Sequence, residues 1–320
     1  MDFTPFEKEV RFKEMTTADL KASIDIGTNS VLLLVAKSSN EDIEVLEEKQ
    51  AVPRLGKGVD TDKNLHLDSC DRVIEVLKSY KAHLIENYPT LANDVVVTAT
   101  SAVRDSSNRE EFLNQIFQET GWRVQLLTGE EEAQTTYKGA ISVLKDQSGN
   151  FVVLDIGGGS TEIALGKQLQ LSSGVSIDMG SVRFSERYLK SDPPITKELE
   201  TLRTEVRSLL KAKSFKLKDC RLVGVAGTVT SIAAIELGLD YYDASQINGY
   251  LLKKESVGNF IEEFSKMSST EIENSYSPFL TGRGDVITGG LIILHEFMNY
   301  FIFNELIVST GGIRHGILTK

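Results

Sequence analysis

The segment Asp25-Ile-Gly27-Thr-Asn-Ser30 returns 130 positions later as Asp155-Ile-Gly157-Gly-Gly-Ser160. Each copy follows a short apolar run and leads into another: Val31-Leu-Leu-Leu-Val-Ala36 after the first, Thr161-Glu-Ile-Ala-Leu165 after the second. Apolar runs flanking a polar turn read as a β-hairpin. Two such hairpins a domain length apart, matched at Asp, Ile, Gly and Ser, indicate a duplicated domain whose halves each offer a hairpin tip to a shared cleft. The plainer reading, chance similarity of two hairpins, leaves those four matches unexplained.

Strands and helices alternate along the rest of the chain. Apolar residues at helical spacing (Val73, Val76, Leu77, Tyr80, Leu84) predict a helix over 68–87, stopped before Pro89. Further helices are expected over 108–120, 195–213, 230–237 and 285–299. Strands are expected over 95–100, 124–128, 221–225 and 305–309. This is an α/β pattern with mixed sheets. No low-complexity linker divides the chain, so the halves should form a continuous two-lobed body that changes lobe near 129–137.

The second echo is also the richest in chemistry. Three successive glycines, Gly157, Gly158 and Gly159, carry no Cβ atoms, so backbone N–H groups can close on a phosphate. Asp155 at the strand end suits Mg²⁺, which takes one or two carboxylates plus phosphate oxygens, and Glu162 would add a second carboxylate. Gly227-Thr228 forms a strand-to-helix turn where N–H groups and a helix dipole suit a phosphate or ribose. Ser309-Thr-Gly-Gly312 is a weaker turn of the same kind. In Gly129-Glu130-Glu131-Glu132-Ala133, glutamates in a first helical turn already complement the helix dipole, although one could face the cleft as a base for water. Arg104 follows a strand end, where its guanidinium could fork onto phosphate oxygens. Arg54 and Arg183 stand in glycine-bearing turns, and each taken singly reads as a solvated charge.

Other chemistries are disfavoured. The four histidines show no metal-ligand spacing, and neither GxSxG nor a Walker A lysine motif occurs. A net charge of −11 argues against a broad nucleic-acid surface. No run is long and apolar enough for a membrane span, and Met1 to Leu20 lacks the apolar centre of a secretory signal. Two distant cysteines, Cys70 and Cys220, form no disulfide framework, and the expected location is the cytoplasm.

Taken together, the segments Asp25–Ser30, Arg54–Val59, Thr98–Asn108, Gly129–Ala133, Asp155–Glu162, Gly180–Arg183, Gly224–Thr228 and Gly312–Gly316 resemble the exopolyphosphatase / guanosine pentaphosphate phosphohydrolase family. That family lies within the actin-like, sugar-kinase and heat-shock ATPase superfamily. The resemblance implies two duplicated actin-like (ribonuclease H-like) lobes with an interlobe active site: 21–132 as the first, with about 305–320 packing back on it, and 133–304 as the second. Residues 1–20 would form an extension. It implies Glu132 as the water-activating base, with Glu131 as fallback, and Arg104 as a neutraliser of phosphoryl charge. It implies Asp25, Asp155 and Glu162 around Mg²⁺. Thr28, Asn29, Ser30, Arg54, Gly157, Gly158, Gly159, Ser160, Arg183, Gly227 and Thr228 would hold substrate.

The expected activity is Mg²⁺-dependent release of terminal phosphate from inorganic polyphosphate, guanosine pentaphosphate or both. The alternatives are an ATP-dependent phosphotransferase or a nucleotide-binding sensor with little turnover. A homodimer is the expected assembly, with neither nucleic acid nor membrane as partner. Two positions depart from the family pattern, Thr28 for Ser and His315 for Glu, and the chain reads as a short form without the helical region that longer members append.

Overall fold

The structure, a computed structural model, describes residues 20–39, 42–213, 217 and 219–319. The extension expected over 1–20 lies outside these residues, apart from Leu20, which opens the first strand. The elements run β1 (Leu20–Ile26), β2 (Val31–Ser39), β3 (Asp42–Ala51), α1 (Val59–Asp62), α2 (Leu67–Asn87), β4 (Val95–Ala99), α3 (Ser101–Arg104), α4 (Arg109–Thr120) and β5 (Val124–Leu126). They continue with α5 (Gly129–Ser142), β6 (Asn150–Ile156), β7 (Thr161–Lys167), β8 (Gln170–Ile177), α6 (Ser181–Tyr188), α7 (Thr196–Ala212), β9 (Arg221–Val225) and α8 (Ala226–Glu236). The remainder is α9 (Ala244–Ile247), β10 (Leu251–Lys253), α10 (Lys254–Phe264), α11 (Ser269–Ser275), α12 (Gly284–Tyr300), β11 (Glu305–Val308) and α13 (Ile313–Gly316).

The duplication is written in the sheets. The first has strand order β3-β2-β1-β4-β5; the second, read from its far edge, has β8-β7-β6-β9-β11 with β10 added. In both, the first hairpin and its third strand are antiparallel, while the next strands pair in parallel. Even the irregularities coincide: one bulge falls between Val35 and Ala36, another between Leu165 and Gly166, each five residues after its turn. A bulge bends its strand and increases local twist, so matching bulges give the two hairpins the same curvature.

Each sheet carries its own core. Val73, Leu77, Tyr80 and Leu84 on α2 are buried against Ile24, Ile26, Leu33 and Val35 of the first sheet. In the second, α12 is buried on nearly every face, with Leu291, Ile292, Ile293, Leu294 and Phe297 all inaccessible to solvent. Such all-round apolarity marks a helix enclosed by its neighbours.

Glu296 sits inside that helix and is itself buried, with Arg203 at 2.7 Å and Arg207 at 2.6 Å reaching it from α7. Burial opposes its charge, but hydrogen bonds from His295, Arg207 and Arg203 outweigh it and hold the carboxyl down at about 2. A depressed folded pKa gives stability that is present above the unfolded value and lost as pH falls through about 2. Glu296→Gln is therefore expected to lose on the order of 2–3 kcal/mol in urea unfolding at pH 7. The deficit should shrink as the pH is lowered from 5 towards 3.

Two expectations about chain order are modified. The anticipated change of lobe at 132/133 falls within α5, which packs along its length on the second sheet. Residues 305–308 form β11 in the second sheet, beside β9, while Ile317 and Leu318 pack on Leu34 and Ala36 of the first. The tail passes α5 at backbone contact: a Cβ on Gly139 would lie 2.0 Å from the Gly312 carbonyl oxygen, and one on Gly316 would lie 1.8 Å from that of Thr135. Glycine is required at both positions by this approach.

Candidate active site

The two echoed turns meet at a cleft of about 1100 Å³, part of it open solvent, lined from both sheets. A Cβ on Gly158 would stand 2.7 Å from the Thr28 Cβ, so the second turn rests against the first. The first turn is closed by Gly27 N–H donating to Ser30 O (2.9 Å) and is propped by the loop behind it, where Gly56 N–H donates to Thr28 O (2.7 Å). The second is anchored through its carbonyls: Ser181 N–H donates to Gly157 O and Val182 N–H to Gly158 O, each at 2.9 Å, from the first turn of α6. α8 begins at Ala226, four residues earlier than the sequence predicts. Ala226 takes a left-handed backbone (φ 67°), so the strand turns into helix without a linker. Gly227 and Thr228 thus lie in the first helical turn and line the cleft.

Carboxylates gather at the back. Asp25 ends β1, Asp155 ends β6 and Glu132 projects from the first turn of α5; all three line the cleft. Burial and the neighbouring Asp155 charge push Asp25 up to about 7, against Arg314 and a hydrogen bond from Thr98. Burial raises Asp155 to about 6, opposed by Thr136. Glu132 is pushed up to about 8 by burial and by the charges of Asp155 and Asp25, although Arg104 donates to it at 2.8 Å. Like carboxylates buried together cannot all ionise without counter-charge.

This arrangement fits a divalent cation. Asp25 Oδ1 and Asn29 Oδ1 are buried without a hydrogen-bond partner, and an acceptor left so needs a donor or an ion. Among the described residues no three His, Cys, Asp or Glu side chains converge tightly enough to hold a metal alone. Mg²⁺ does not require that, since it keeps water and substrate phosphates in its shell. Asp25 and Asp155 are the pair that fit it. Without a cation, Asp25 disfavours folding when ionised: a raised folded pKa gives stability that is full below about 4 and lost as pH rises through about 7. Asp25→Asn is therefore expected to be more stable than the parent by on the order of 2 kcal/mol at pH 8 in chelator, and about equal at pH 4, by thermal unfolding.

Of the residues singled out in the sequence, Asp25, Thr28, Asn29, Ser30, Glu132, Asp155, Gly157, Gly158, Ser160, Gly227 and Thr228 line the cleft. Glu131 is drawn away from it: Glu131 accepts from Thr128 N–H at 2.8 Å and donates its own N–H to Thr128 Oγ1, the reciprocal pair of a capping box. Glu162 is buried beside Glu132 but accepts from Ser176 Oγ (2.6 Å) and does not reach the lining. Arg104 acts behind Glu132, also donating to Leu127 O (3.0 Å). Gly159 is not among the lining residues; a Cβ there would lie 2.5 Å from Ser101 Oγ.

Arg54 and Arg183 are neither solvated charges nor cleft residues. Arg54 pairs with Asp285 at the start of α12. Arg183 is buried; it donates to Gly159 O (2.6 Å), Asp60 (2.6 Å) and Asp105 (2.5 Å), tying the glycine turn to the first sheet's helices.

Two lining arginines were not assigned from the sequence. Arg314 reaches the cleft from α13, held by Glu48. Arg283, at the head of α12, donates to Ser30 Oγ (3.1 Å) and packs under Gly227, where a Cβ would meet its guanidinium at 1.5 Å. Among the described residues Arg283 has no ion-pair partner, which leaves a desolvated cation facing the cleft. The departure at His315 is a buried imidazole that burial and Arg314 hold neutral.

Comparison with known proteins agrees with this geometry. The model of the Ppx/GppA phosphatase family matches residues 34–320. Exopolyphosphatase 2 of Mycobacterium tuberculosis is 33% identical over 92% of the chain and 96% of its own length. A bifunctional 3-dehydroquinate synthase/phosphatase of Fusobacterium nucleatum is 33% identical over 94% of the chain, which spans about half (47%) of that protein. A guanosine-5'-triphosphate,3'-diphosphate pyrophosphatase of Pseudoalteromonas translucida is 28% identical over 93% of the chain and 58% of its own length. Among solved structures, the Aquifex aeolicus Ppx/GppA family member superposes with a TM-score of 0.77 at 31% identity, covering 93% of this chain and 96% of that one. An exopolyphosphatase-like protein gives 0.86 at 28%, covering 93% and 97%. The duplicated mixed sheets, the facing hairpin turns and this match over most of the sequence lead to one assignment: the chain belongs to the Ppx/GppA phosphatase family.

Proposed function

We propose that this family member hydrolyses the terminal phosphoanhydride of inorganic polyphosphate, of guanosine pentaphosphate or of both. The observation that carries the reading is the buried Glu132 carboxylate, which lines the same cleft as the Gly157-Gly158 turn and accepts a hydrogen bond from Arg104. The terminal phosphoryl group docks between the two turns, where backbone N–H groups and Arg283 meet its oxygens. Glu132, ionised in the loaded site, takes the proton of a water whose oxygen attacks phosphorus. The bridging P–O bond breaks and the shortened anhydride leaves with that electron pair. Little covalent chemistry is asked of the protein, so positioning and charge neutralisation dominate. Asp25 and Asp155 are the residues that would hold Mg²⁺, which when bound would offset phosphate charge in the cleft.

The test is phosphate release from polyphosphate and from guanosine pentaphosphate, with and without Mg²⁺. Mg²⁺-dependent release from at least one is expected. Release from neither, or ADP formed from ATP only when a small acceptor is added, would overturn it.

A further inference from the structure

Among the described residues Tyr242 is the only aromatic one that lines the cleft, and at 43% exposed it is available to a ligand rather than committed to the core. It lies on the loop between α8 and α9. Asp25 pairs with Leu32 across β1 and β2, and Leu32 with Gln50 across β2 and β3, so the three form one row on the sheet. At the usual strand spacing, Gln50 stands roughly 10 Å from Asp25. Leu32 and Gln50 thus carry the cleft lining outward from the carboxylates along the sheet, and Tyr242 lines the same cleft.

An exposed aromatic residue in the cleft separates the two substrate chemistries. A bare phosphate chain has nothing to stack on an aromatic ring. A nucleotide whose terminal phosphate occupies the turns carries its base further along the cleft, where an exposed ring can meet it. We infer that Tyr242 is a specificity-determining residue: its ring stacks on the purine of a nucleoside polyphosphate and contributes nothing to inorganic polyphosphate. The inference rests on the hydrolase reading for the orientation of the ligand.

The experiment compares Tyr242→Ala and Tyr242→Phe with the parent on both substrates, and measures binding of guanosine tetraphosphate and tripolyphosphate by calorimetry. Base–aromatic stacking predicts a roughly five- to hundredfold rise in KM for guanosine pentaphosphate in the alanine variant, restored by phenylalanine. The KM for polyphosphate should change less than about twofold, which also reports a folded site. Equal losses on both substrates, no loss on either, or failure of the parent to bind the guanosine nucleotides would overturn the inference while leaving polyphosphate hydrolysis standing. If the parent hydrolyses neither substrate, the hydrolase reading fails. The inference is then decided by binding alone: a selective loss of guanosine tetraphosphate affinity in Tyr242→Ala supports it, and an unchanged affinity overturns it.

Discussion

Glu132→Gln is expected to lower kcat for phosphate release by about 10²–10⁴-fold, the range over which a positioned general base contributes, with KM changed little. The substitution keeps the shape of the side chain and removes only its capacity to take a proton from water. Its environment argues for this role over a structural one. A buried carboxylate whose purpose was to pair Arg104 would be held down in pKa, as Glu296 is by its two arginines. Glu132 is instead pushed up to about 8, because burial and the two aspartates outweigh the single arginine. Glu131→Gln provides the control: that carboxylate caps α5 and is exposed, so the variant should lose helix stability on the order of 1 kcal/mol or less and retain kcat. Steady-state kinetics on polyphosphate and the guanosine nucleotide distinguish the two.

Arg283→Ala should act on the other kinetic constant. A desolvated guanidinium without an ion pair gains its counter-charge when a polyanion binds. Removing a hydrogen bond to a charged group costs about 1.5–3 kcal/mol, so KM should rise roughly 10- to 150-fold. Arg283→Lys should recover only part, because a point charge cannot reproduce the fork that faces Ser30 and the cleft. Thermal unfolding of the empty Arg283→Ala protein should show only a small loss, since a half-buried cation with no ion-pair partner among the described residues adds little to the fold beyond its bond to Ser30. A large fall in melting temperature with unchanged KM would show that Arg283 is a packing residue.

The sequence revealed the duplication because a hairpin tip compresses its constraints into a few adjacent residues: an Asp at the strand end, a Gly in the turn, a Ser before the return strand. Strands β3 and β8 stayed hidden because their residues do not look like strand. β3 carries Glu44, Glu47, Glu48 and Lys49, charges suited to a sheet edge, and β8 is rich in serine. The choice between Glu131 and Glu132 was legible, since Thr128-x-x-Glu131 is a capping-box pattern that commits Glu131 to the helix end. Arg283 also left a signal, in that an arginine between two glycines, Gly282-Arg-Gly284, is poorly explained as a helix-surface charge. Arg183 left none. Its partners Asp60 and Asp105 lie 123 and 78 positions away, and only the folded chain brings them to one guanidinium.

Water as the nucleophile is what separates hydrolysis by Glu132 from phosphoryl transfer. Hydrolysis in ¹⁸O-labelled water, with the released phosphate read by mass spectrometry, should place one labelled oxygen in each phosphate formed by the parent, and Glu132→Gln should slow that incorporation in step with kcat. Turnover that transfers the phosphoryl group to another acceptor and leaves the phosphate unlabelled would contradict a water-activating Glu132.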